Sequence, residues 1–147
     1  MHRKVAAALI AAFALGIAGC GSGTTTLTRA ELVKRVEAAC REGQVTTEKE
    51  AKGRSSGGVV ALALAVRAGQ KVVMDKVKNI EASGAARADW DKLKEGMQRR
   101  LDAIERVANA DRAHAQSVVR SIERQAQAAS EQTAAAEKNL GIKGCLG

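Results

Sequence analysis

Apolar residues recur at helical spacing along most of this chain, and strand-like alternation is scarce. Val36, Ala39 and Cys40 follow Leu32 at i+4, i+7 and i+8, which is one face of a helix. Ahead of them, Thr28-Arg29-Ala30-Glu31 has the form of a capping box, so a first helix is expected to begin after Thr28 and weaken at Gly43. Residues 44–58 carry the least pattern. Thr46 to Lys52 suits a short surface helix, and Gly53-Arg54-Ser55-Ser56-Gly57-Gly58 suits a connector. A second helix is expected from Val59 to Ala82, with Leu62, Val66, Val73, Val77 and Ile80 as its apolar stripe. Gly69 inside that stripe costs about 1 kcal/mol against Ala and allows close helix contact. Ser83-Gly84 is the turn. A third helix, from Ala86 to Ala108, carries Trp90, Leu93, Met97, Leu101, Ile104 and Ala108 on one face. Asn109-Ala110-Asp111 is the proposed break, with Asp111 as the next N-cap. No Gly or Pro enforces it, and residues 86–140 as one long helix is the alternative. A fourth helix, Arg112 to Leu140, has Val118, Ile122, Ala126, Ala129, Thr133, Ala136 and Leu140 inward. Gly141 fits the position just past its end, where Ile142 folds back on the last turn.

Composition agrees with helices. The chain has no proline and no tyrosine. Its single Phe, Phe13, falls in the leader described below, so Trp90 is the one aromatic of the rest. Ala has the best helix propensity, and a sheet protein would use more β-branched and aromatic residues. The expected fold is therefore all-α, an antiparallel bundle of about four helices over residues 28–147.

The first 27 residues read differently. Arg3 and Lys4 precede a 14-residue apolar run, Val5 to Ala18, which is shorter than the roughly 20 residues of a membrane span. Charge, apolar core and small residues in that order form a secretory signal. Ile17-Ala18-Gly19-Cys20 resembles the bacterial lipobox: an aliphatic residue, two small ones, then Cys. That resemblance implies a diacylglyceryl group on the thiol of Cys20 and cleavage before it. Residues 1–19 are then the signal peptide and Cys20 the membrane anchor. Gly21 to Leu27 is expected to be a short flexible tether.

With Cys20 lipidated, Cys40 and Cys145 remain, in a compartment where disulfides persist. One bridge between them closes a loop of about 106 residues, worth about 4–5 kcal/mol in the chain-entropy model. In an up-down bundle the last helix ends near the start of the first. Cys40 lies about 18 Å along the first helix, and the tail from Gly141 to Cys145 reaches about 16 Å, so the bridge is feasible.

Little else carries chemistry. His114 is the only His after the leader and there is no CxxC, so neither a metal site nor a cofactor is expected. His114 with Asp111 one turn earlier is the one His–carboxylate pair. Ser117 follows at i+3, and three residues on one helix surface do not converge as a triad. Asp89 and Asp91 flank Trp90 and point apart. Arg54 with its glycines and serines suggests an anion cradle, but there is no GK[ST] ending, and the serines read better as caps for the second helix. Trp90 reads as core filler, with its N–H near the surface, rather than a stacking platform.

The net charge of +8 falls to +6 once Arg3 and Lys4 are removed with the leader. Acidic and basic residues alternate, and no aromatics interleave with the basic ones, so no nucleic-acid partner is expected. Arg67, Lys71, Lys76 and Lys78 make one side of the second helix basic.

At both ends the chain resembles a group of small actinobacterial lipoproteins with a helical extracytoplasmic domain. The match rests on the lipobox and tether, on Thr28-Arg29-Ala30-Glu31 through Ala38-Ala39-Cys40, and on Asn139-Leu140-Gly141-Ile142-Lys143-Gly144-Cys145. The resemblance implies location, helical fold and cysteine pairing. It supplies no activity and no catalytic residues. The expected function is a non-catalytic interaction module held at the cell membrane through Cys20, with an envelope protein or polymer as partner. The alternative is a carrier or sensor of a small or lipidic ligand bound between helices, which a large apolar cavity would favour.

Overall fold

The computed structural model describes residues 24–54, 57–143 and 145. The leader and Cys20 lie outside them, as do Ser55 and Ser56. Four helices dominate: α1 (Arg29–Lys52), α2 (Gly58–Val77), α3 (Arg87–Ala108) and α4 (Ala115–Leu140). Two three-residue strands, β1 (Thr25–Leu27) and β2 (Ile80–Ala82), accompany them, and a 3-10 turn over Gly84–Ala86 leads into α3. The fold is an all-α bundle with one small parallel strand pair.

The capping box opens α1. The Glu31 carboxylate accepts from the Thr28 backbone N–H at 3.0 Å, and the Thr28 hydroxyl accepts from the Glu31 N–H at 3.5 Å. The helix does not weaken at Gly43. It runs on to Lys52 and absorbs the segment expected as a separate short helix. The reason is tertiary. Gly43 is buried against Gly69 of α2, and a Cβ on Gly43 would sit 2.8 Å from the Gly69 carbonyl oxygen and 2.6 Å from Val73 Cγ2. The two glycines let the backbones touch, and that contact offsets the helix propensity both residues lack.

At its other end α2 stops at Val77, five residues before the expected Ala82. Ile80 to Ala82 instead pairs with Thr25 to Leu27, in register Thr25↔Ile80, Thr26↔Glu81 and Leu27↔Ala82. The expected tether is thus shortened, because its last three residues belong to the fold. Leu27, Ile80 and Ala82 are buried while Thr26 and Glu81 face out. Ser83 closes the arrangement with its N–H and its hydroxyl on the Leu27 carbonyl.

The break between α3 and α4 falls where proposed, and the single long helix is not formed. Helix α4 starts at Ala115 rather than Arg112 and its N-cap is His114 rather than Asp111, because Asp111 closes a preceding turn, with its Oδ1 accepting the His114 N–H at 3.0 Å and its carbonyl accepting from Ala115. At the far end Gly141 adopts φ 83°. The Gly141 and Ile142 N–H groups reach the Lys138 and Glu137 carbonyls, which is a Schellman motif, and Ile142 is buried. Arg29 adds a cap that the pattern does not show: its guanidinium donates to the Leu140 carbonyl at 3.0 Å and to the Asn139 carbonyl.

Neighbouring helices meet through pairs whose numbers rise on one helix as they fall on the other. Lys71–Glu105 and Arg67–Asn109 link α2 to α3; Asp89–Asn139, Arg99–Gln132 and Arg106–Gln125 link α3 to α4. Two apolar clusters result. The larger lies at the strand end around Leu32, Val36, Val77, Trp90, Leu93, Met97 and Leu140. The smaller lies at the opposite end, around Ala63, Ala103, Val107, Ala108 and Ile122.

Candidate functional site

Cys40 and Cys145 are bonded, with Cα atoms 5.1 Å apart across 105 positions of sequence. The tail lies along α1, and the Lys143 N–H donates to Glu37 Oε1 at 3.0 Å. The bridge therefore fastens the end of the chain to the middle of the first helix.

The other singled-out residues are structural. Trp90 is fully buried. Its ring N–H is not near the surface but donates to the Ile80 carbonyl at 2.8 Å, tying α3 to β2. His114 Nδ1 lies 2.8 Å from Asp111 Oδ2 with both side chains exposed. The Asp111 carboxyl is held below its ordinary value by hydrogen bonds from the His114 ring and then its backbone. Ser117 makes no hydrogen bond to this pair, which serves as a helix start. Asp89 accepts from Asn139, whereas Asp91 pairs with Lys94 at 3.4 Å, so the two acids diverge. Arg54 turns back to Glu50 at 3.1 Å rather than forming an anion cradle. The N-cap of α2 is Gly57, which offers no side chain, so the capping serines expected there are not the N-cap.

The basic side of α2 is tied down as well. Lys71 pairs with Glu105 at 3.2 Å, Lys76 with Glu42 at 2.8 Å and Lys78 with Asp75 at 2.8 Å, while Arg67 reaches Asn109. The Lys71, Lys76 and Arg67 contacts fasten α2 to its neighbours, whereas the Lys78–Asp75 pair is local.

What remains is a shallow, open apolar surface. The first half of α2, the second half of α3 and the first half of α4 share one apolar surface. The result is a cleft of about 330 Å³, lined chiefly by Val59, Leu62, Val66, Ile104, Val119 and Ile122. Leu62, expected on the buried stripe, is 57% exposed; Ala63, Ala65 and Gly69 take the buried side of α2 in its place. Arg100 is the one charged residue among those lining the cleft. It also borders a second cleft of about 320 Å³ beneath the disulfide, with Gly43, Gly69 and Gln70.

Sequence reasoning placed Arg100 nowhere and missed the cleft. One signal was available: Val59 to Val66 is apolar without a break, so both sides of that half of α2 are greasy while only one can pack.

No cluster of metal-ligating side chains occurs among the described residues, and no described helix is long and apolar enough to cross a membrane. The chain matches no family model, no curated protein and no solved structure.

Proposed function

We propose that this chain is a non-catalytic binding module of the cell envelope, anchored outside the cytoplasm by lipid on Cys20 and taking a small or lipidic ligand in the cleft between α2, α3 and α4. The anchor rests on the charged start, the apolar run and the lipobox-like Ile17-Ala18-Gly19-Cys20, and on likeness to small actinobacterial lipoproteins. The observation that carries the ligand is the cleft. Its volume lies at the low end of the roughly 300–1,000 Å³ of small-molecule sites, its walls are mostly apolar, and Arg100 and Ser130 are the polar residues lining it.

An apolar lining of this size with one charged residue supports the small ligand.

Two measurements test the reading. Intact mass of protein extracted from its own membrane, with and without reductant, is expected to equal residues 20–147 plus acyl groups and to rise by two hydrogens on reduction. Retention of residues 1–19 removes the anchor. Native mass spectrometry of the same material is expected to show a bound small ligand that Ile104→Trp, which fills the cleft, displaces. Absence of any bound mass, together with photo-crosslinks from position 62 to a protein, replaces the small ligand with a protein partner.

A further inference from the structure

Arg100 stands where the two clefts meet. Its Nη1 is shielded from solvent and has no hydrogen-bond partner among the described residues. A shielded cationic N–H without an acceptor is costly, so it marks a place where a partner is missing. Two further shielded atoms lack partners: Gln70 Oε1, on the wall of the second cleft, and Glu137 Oε1 on α4. Glu137 has the charge to satisfy Arg100 but does not form an ion pair with it. Burial pushes the Glu137 carboxyl up, and the attraction of Arg100 only partly offsets this. No other charged side chain lines the apolar cleft.

A guanidinium offers a planar fork of donors and no acceptor, which matches a carboxylate through two parallel hydrogen bonds. It lines an otherwise mostly apolar cleft, so the molecule that fits has an apolar body and one anionic end. About 330 Å³ holds one short aliphatic chain and is too small for a two-chain phospholipid.

Resting on the ligand-binding reading above, we propose that the cleft binds an aliphatic monocarboxylic acid, its chain along Leu62, Val66, Ile104 and Val119 and its carboxylate on the Arg100 guanidinium.

The test uses the full chain with Cys20→Ser, which removes the thiol that would carry lipid, and measures calorimetric binding of decanoate, decanol and decyl phosphate. Decanoate is expected to bind most tightly. Arg100→Met is expected to weaken decanoate by about tenfold or more, the loss of a charge-assisted hydrogen bond, and to leave decanol unchanged. Ile104→Trp is expected to abolish both. Thermal melts confirm that each variant is folded. Equal binding of decanoate and decanol, unmoved by Arg100→Met, overturns the carboxylate assignment and leaves the cleft as a ligand site. Tighter binding of decyl phosphate also overturns it. If none of the three binds, water alone satisfies Arg100, and both this inference and the small-ligand reading fail.

Discussion

The two ends of the bundle are built on opposite principles. At the strand end the buried side chains are large: Trp90, Leu32, Leu93, Met97 and Leu140 are almost wholly shielded. They are backed by a parallel strand pair, a Schellman motif, the Arg29 cap and the disulfide. At the loop end the buried residues are mostly alanines, Ile104 and Val118 are only partly covered, and a cleft stands open. Tight packing over one half lets the other expose apolar surface without unfolding, because stability is not spread evenly through a fold.

Substitutions at the two ends should break this contrast if it is false. The largest effect is expected from Trp90→Ala, which empties the strand-end core and orphans the Ile80 carbonyl: about 3–5 kcal/mol lost in urea unfolding. A loss below about 1 kcal/mol would mean that this end is not the stronger one. Next come the cysteines. Cys40→Ser and Cys145→Ser should each lose about 2–5 kcal/mol, and the double variant should be no worse than either. Additive losses in thermal melts would show that the bond does not form in solution. Gly69→Ala forces a methyl group into Thr47 and the Gly43 backbone and should cost about 1–3 kcal/mol. At the loop end, Leu62→Ser removes an already exposed side chain and should change stability by less than about 0.5 kcal/mol.

The smallest effect should be a gain. Burial raises the Glu137 carboxyl above its ordinary value of 4.5. An acid raised in the folded state favours folding while protonated, and that contribution is lost as pH rises through the folded value. Glu137→Gln should therefore raise the melting temperature at neutral pH, with the gain vanishing below about pH 4.5. An unchanged melting temperature at every pH would mean that water reaches this carboxyl freely.

Legibility in the sequence followed the same division. The strand-end core was readable because its residues recur every three or four positions: Leu32, Val36 and Cys40 on one helix, Trp90, Leu93 and Met97 on another, all found buried. Both caps, Thr28 with Glu31 and Gly141 with Ile142, were readable because capping is local chemistry. The strands were not. Three residues hold too few positions to separate a period of two from one of 3.6, and Thr25 to Leu27 finds its partner more than fifty residues away. Gly43 misled because its neighbour, Gly69, lies on another helix. The cleft was hidden for a related reason. A continuous apolar run records that a surface is greasy, whereas only the tertiary packing of the helices decides that Leu62 stays uncovered.

The strand pair also fixes reach. β1 begins five residues after Cys20, so no more than about 17 Å of chain separates a lipid on that thiol from the folded body. Val59 at the cleft and Val77 beside the strands lie about 27 Å apart along α2. If Cys20 is anchored as proposed, the bundle stands like a short mast, with its densely packed foot at the bilayer and its open mouth held out in the aqueous compartment. A ligand would then arrive from solution, and lengthening the stalk at Gly21 would change how far the mouth projects without touching what it holds.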